Sequence, residues 1–153
     1  MGQGRNGWLR TRRIELDAAD LIEREQFFYA NCLVIGPAEI LGSELINNKI
    51  EMDRAAQIDT SDLTEVFGNF QSEIDGAVYS GGEATAHGSC GFFCKKTEGR
   101  LDWALMSLDS EPFVDVECSG GDIRFLSGSG SVWVVEGGDI TRIHIEPASH
   151  HRA

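Results

Sequence analysis

The sequence predicts an α+β fold: an antiparallel sheet of about six or seven strands, mostly from the C-terminal half, packed against N-terminal helices. Three observations carry this. Turn signals recur through the second half at Glu98-Gly99, Asp109-Ser110-Glu111-Pro112, Ser119-Gly120-Gly121-Asp122, Ser127-Gly128-Ser129-Gly130 and Glu136-Gly137-Gly138-Asp139. Their spacing, roughly 8–12 residues, is the rhythm of an antiparallel meander. Between them, apolar and polar residues alternate. Apolar residues in the first half fall nearer helical spacing.

In chain order, a helix is expected at about 18–30, with Asp17 as its cap and Asp20 and Glu23 at its positive end. Cys32-Leu33-Val34-Ile35, closed by Gly36-Pro37, reads as a short buried strand. The segment 38–58 is open to more than one reading: Ile40, Leu41, Leu45 and Ile46 fit a short helix, and Lys49 to Asp53 alternates and could be a strand. A second short helix is expected over 61–67, with Leu63, Val66 and Phe67 inward. Gly76-Ala77-Val78-Tyr79 and Phe92-Phe93-Cys94 read as strands. Further on, Leu101, Trp103 and Leu105 share a face, as do Val114, Val116 and Cys118, then Trp133 with Val135, and Ile143 with Ile145. Such alternation places one face on a core and the other in water. The whole of 1–153 reads as one domain with frayed ends at 1–7 and 148–153; a chain of this length buries a core without staples.

Charge is the most uneven property of the chain. There are 25 Asp and Glu against 13 Lys and Arg. Arg5, Arg10, Arg12 and Arg13 all precede Ile14, so the remainder carries 25 acidic and 9 basic side chains, a net of −16. A body this acidic repels nucleic acid and anionic membrane and attracts basic proteins. No apolar run approaches the ~18 residues of a membrane-spanning helix. The N-terminus has charge with no hydrophobic stretch after it, unlike a secretory signal. A cytoplasmic location is therefore expected, with Cys32, Cys90, Cys94 and Cys118 reduced.

Chemical side chains crowd most closely at His87, Cys90 and Cys94. Zinc sites take two close Cys/His pairs, whereas this group would need Cys32, Cys118 or a carboxylate as a fourth ligand. A Cys nucleophile with His87 as base would need contact and an orienting third group. Neither is read here. No metal, cofactor or catalytic set is expected, and the cysteines read as small core residues. Gly81-Gly82 and Gly120-Gly121 lack the P-loop lysine and read as turns. Asp53 to Glu65 lacks the calcium-loop pattern. Asp115 and Glu117 share a strand face, and Asp109 and Glu111 flank a turn; they read as surface carboxylates.

The stretch Leu101-Asp102-Trp103-Ala104-Leu105-Met106-Ser107-Leu108-Asp109-Ser110, followed by Pro112-Phe113-Val114, leads to Gly128-Ser129-Gly130-Ser131-Val132-Trp133-Val134 and Asp139-Ile140-Thr141-Arg142-Ile143. In general character this last third resembles the immunity proteins that protect bacteria from secreted polymorphic toxins. The resemblance implies a tight, non-enzymatic inhibitor that covers the active site of a cognate nuclease, deaminase or NAD-cleaving toxin. It assigns no binding residues. Strand alternation and turn placement leave Asp17, Asp20, Glu23, Asp109, Glu111, Asp115, Glu117, Asp122, Glu136 and Asp139 outside the core, and these are the expected partner-binding residues. Two other roles fit the charge: a phage-encoded inhibitor of a nucleic-acid-binding defence complex, and a small hydrolase whose site is not readable from sequence.

Overall fold

A computed structural model describes residues 18–28, 32–35, 39–46, 48–53, 63–84, 90–108 and 110–148. Helix α1 is Ala18–Glu23. The strands are β1 Gln26–Phe28, β2 Cys32–Ile35, β3 Glu39–Ile46, β4 Lys49–Asp53, β5 Leu63–Ile74 and β6 Ala77–Ala84. They continue as β7 Cys90–Thr97, β8 Arg100–Ser107, β9 Phe113–Ser119, β10 Asp122–Ser127, β11 Val132–Val135 and β12 Ile143–Glu146, with a 3-10 turn at Glu136–Gly138. Their hydrogen-bonded order is β1-β5-β6-β7-β8-β2-β3-β4-β12-β11-β10-β9. The pairings are antiparallel.

This overturns the expected α+β class. Among the described residues the protein is almost all β, with a single six-residue helix. The helix expected at 18–30 stops at Glu23, and Glu25 turns the chain at φ 60° into β1. Of the helix expected over 61–67, residues 61 and 62 lie outside the described residues and Leu63 to Phe67 open β5; Ile40 to Ile46 belongs to β3. The strand expected from Lys49 to Asp53 is β4. The Cys32–Ile35 strand is β2.

The strand order folds over so that β5–β8 face β9–β12. Between them lies one core, built from Tyr79, Phe93, Trp103, Leu105, Phe113, Phe125, Trp133 and Val135 with their neighbours. Phe93 and Phe125 stack with ring centroids 3.8 Å apart, and Phe113 meets Trp133 edge-on at 5.5 Å. A second core lies on the other face of β5–β8. There Leu21 and Ile22 of α1, with Phe27, cover Val66, Phe92, Cys94, Ala104 and Met106. The middle sheet is thus buried on both faces.

Three irregularities set which face each side chain meets. In β5 the register shifts between Gly68 and Phe70, so Val66 enters the outer core and Phe70 the inner one. A shift between Lys95 and Lys96 puts Leu101 in the outer core, while Trp103 and Leu105 face inward. The expected shared face of Leu101, Trp103 and Leu105 is corrected accordingly. In β9 a shift opposite Leu126 and Ser127 leaves Val114 exposed at 43 % between buried Phe113 and Val116. Cys118, expected on that apolar face, is exposed. A bulge adds one residue to one strand and reverses the sense of alternation beyond it.

Glycine has two uses here. Asp75-Gly76, Glu98-Gly99 and Gly120-Gly121 all have positive φ and close two-residue hairpins, as the twist of paired strands requires. Gly81 and Gly82, expected as a turn, lie inside β6. A Cβ at Gly82 would collide with the Phe67 carbonyl at the β5 bulge, and one at Gly81 would strike the Phe92 carbonyl.

Candidate partner-binding surface

The outward face of β9–β12 is organised by register. One row runs Glu117, Arg124, Val134, His144 across β9, β10, β11 and β12. The next row runs Asp115, Leu126, Val132, Glu146. Alternation puts these residues outside because Val116, Ile123, Phe125, Trp133, Val135, Ile143 and Ile145 point in.

Ion pairs knit the face together. Arg124 donates from Nη2 to Glu146 Oε1 at 2.7 Å and from Nη1 to Glu146 Oε2 at 3.3 Å, a bidentate grip. Its Nε lies 3.4 Å from Glu117 Oε2. His144 stands between two carboxylates, with Nδ1 at 2.6 Å from Glu136 and Nε2 at 3.5 Å from Glu146. Arg142 donates to the other Glu136 oxygen at 3.2 Å. The chain Arg142–Glu136–His144–Glu146–Arg124–Glu117 therefore spans the sheet. The bond from Arg124 holds the Glu146 carboxyl below its ordinary range; Glu146 in return raises the Arg124 guanidinium. Beneath the network Val134 is 1 % exposed although it faces outward.

The ten expected partner-binding carboxylates fall into separate groups. Asp17 and Asp109 lie outside the described residues. Asp20 and Glu23 are exposed on α1, away from the β9–β12 face. Glu111 is half-buried at φ 69° in the link before β9. Glu117 and Glu136 belong to the ion-pair chain. The remaining three serve the backbone locally. Asp115 Oδ1 accepts from the Val116 N–H at 2.8 Å, and Asp122 Oδ1 from the Gly137 N–H at 2.8 Å. Asp139 Oδ1 accepts from Thr141 Oγ1 at 2.7 Å and from its N–H at 3.0 Å, which lowers the Asp139 pKa. The structure thus gathers Asp115 and Glu117 on one face and does not gather all ten.

Two concavities adjoin these groups. A pit of about 110 Å³ is lined by Asp115, Val116, Glu117, Arg124, Leu126 and Val132. A shallower cleft of about 460 Å³ lies beside α1. Its lining includes Ile22, Val66 and Phe92 as apolar surface and Glu25, Ser80 and Lys96 as polar groups. Sequence reasoning missed Arg124, Leu126, Val132, His144 and Glu146. Alternation alone marks them as outward; only the register across four strands shows which of them meet.

His87 lies outside the described residues. Cys90 and Cys94 are buried in the outer core, where Cys90 donates to the Leu108 carbonyl at 3.6 Å and Cys94 sits 3.2 Å from the Ser80 hydroxyl. Burial pushes the Cys94 thiol up, against the opposing effect of Ser80. Among the described residues no group of three or more His, Cys, Asp or Glu side chains is placed to hold a metal ion. Trp103 and Trp133 are core residues, each 5 % exposed. No helix among the described residues is long and apolar enough to cross a membrane.

No protein-family model, curated protein or solved structure matches the chain.

Proposed function

We propose that this protein is an immunity-type inhibitor: it binds a basic protein, a cognate toxin domain acting as a nuclease, deaminase or NAD-cleaving enzyme, and neutralises it by covering its active site with an acidic surface. One observation carries the reading. The space between the sheets is filled by stacked aromatic rings, and in a chain of net charge −12 none of the carboxylates whose exposure the structure describes is buried there. A filled, cross-braced scaffold with charge displayed outward suits recognition by surface. Enzymes that act on nucleic acid carry positive clefts for phosphate. An acidic surface speeds encounter with such a cleft by long-range attraction and competes for it.

The test is co-expression. An immunity gene normally lies directly downstream of its toxin gene, so the product of the adjacent upstream gene is the partner to try. Rescue of growth by this chain is the expected result; toxicity unchanged by co-expression would contradict the proposal. A phage-encoded inhibitor of a defence complex would use the same acidic chemistry, and the rescue experiment separates it by partner. The cleft beside α1 favours one further reading, a small-molecule site of the kind a hydrolase needs, because its volume falls in the range of ligand pockets. A substrate-dependent turnover abolished by changes at Ser80 or Lys96 would bring that reading forward.

A further inference from the structure

We infer that the pit on the β9–β10–β11 face is the anchoring point of the interface, and that it takes one lysine or arginine side chain from the basic partner. The inference rests on the proposed basic partner and says where it is gripped.

The chemistry of the pit matches a long cationic side chain. Leu126 and Val132 are register partners and supply an apolar floor, with Leu126 37 % exposed. Asp115 stands opposite Leu126 on β9, and Glu117 lies two residues along the same strand. Lysine and arginine lay an aliphatic stem on apolar surface and keep the charged head beyond it. Here the stem would lie on Leu126 and Val132, and the head would meet Asp115 and Glu117. A volume of about 110 Å³ suits a single side chain. It falls short of the roughly 300–1,000 Å³ of a small-molecule pocket.

The walls are already in position. Arg124 forms one side, and it is held from behind by both oxygens of Glu146. Its charge is thus shared between Glu146 and Glu117, and Glu117 remains 70 % exposed. Fixing Arg124 before the partner arrives removes an ordering cost from binding. The carboxylates of α1 lie across the molecule from the pit, beside the other core.

The probe is a fluorescently labelled peptide of alternating lysine and glycine, titrated at low ionic strength and read by anisotropy. Two double variants of equal net charge are compared: D115N/E117Q at the pit, and E73Q/D75N on the β5–β6 hairpin. D115N/E117Q is expected to weaken binding roughly tenfold, and E73Q/D75N less than about twofold. Leu126→Ser changes no charge and is expected to weaken binding about threefold by spoiling the floor. Circular dichroism and thermal melts establish that each variant is folded, and Glu117→Gln alone serves where the double variant is not. Equal weakening by the two double variants, with Leu126→Ser silent, would overturn the pit and leave the acidic-capture proposal standing. No binding of the peptide to the native protein would contradict that proposal itself.

Discussion

Phe93 on β7 and Phe125 on β10 lie ring on ring across the interior, with centroids 3.8 Å apart and planes within 5°. Both are fully buried, and they come from the two facing layers. Around them stand Phe113, Trp103 and Tyr79 at edge or tilted angles. This cluster joins the two facing layers, so its loss should be felt globally. Phe125→Ala is expected to cost about 3–5 kcal/mol, the range for an aromatic side chain removed from a packed core. Urea unfolding measures it; a loss below about 1 kcal/mol would mean that the two layers are held together elsewhere.

The last four strands were legible because the outward face of β9–β12 carries mostly polar and charged side chains. In β10 and β12, Ile123, Phe125, Ile143 and Ile145 alternate with Arg124, Leu126, His144 and Glu146, and the pattern survives in the structure. The first half misled for a physical reason. Leu63, Val66 and Phe70 sit near helical spacing in the sequence. Val66 packs in the outer core and Phe70 against the inner one because β5 changes face at its bulge, whereas Phe67, expected inward, is 42 % exposed. A sheet buried on both sides erases the period-two signal that marks a strand. The candidate surface was legible only in part. Outward carboxylates can be read from alternation, but the partnership of Arg124 with Glu146 depends on β10, β11 and β12 lying side by side, which spacing does not reveal.

Trp133 Nε1 is buried and has no hydrogen-bond partner among the described residues. Its indole packs edge-on against Phe113. Replacing it with phenylalanine removes an unsatisfied donor together with some volume, whereas alanine removes the packing as well. Trp133→Phe is expected to cost under about 1.5 kcal/mol and Trp133→Ala about 3–5 kcal/mol. Equal losses from the two would show that the indole N–H makes a bond of consequence.

Acid should loosen the β9–β12 face through Glu146. Its folded-state pKa is lowered, first by the hydrogen bond from Arg124. Folding therefore favours the ionised form. The stabilisation is present in full above the ordinary glutamate range and is lost as pH falls through the lowered value. The pair is well exposed, with Glu146 at 46 %, so screening keeps its contribution under roughly 1 kcal/mol. Glu146→Gln is expected to lower stability by that amount at neutral pH, with the two melting curves converging in acid. A difference unchanged down to acid pH would mean that the carboxylate charge is not what Arg124 holds.

Thiol reactivity should divide by burial. Cys118 is exposed, whereas Cys90 and Cys94 are buried and the Cys94 thiol is pushed up by that burial. Thiolate and access together govern reaction with disulfide reagents. Cys118 is expected to react within the mixing phase of a native titration, and Cys90 and Cys94 only as the protein unfolds. Peptide mapping of the labelled sites checks this; early labelling of Cys94 would contradict the burial of β7 in the outer core.

The central claim is that the acidic surface draws in and binds a basic partner. The most direct measurement is the stopped-flow association rate of this chain with the product of the adjacent upstream gene, followed against salt concentration. The rate is expected to fall at least about tenfold as ionic strength rises from ~0.01 to ~0.5 M, with dissociation changing little. Slower association at low salt is also expected for the variant carrying Asp115→Lys and Glu117→Lys together. An association rate indifferent both to salt and to those two reversals would contradict the claim and leave the carboxylates with solubility as their role.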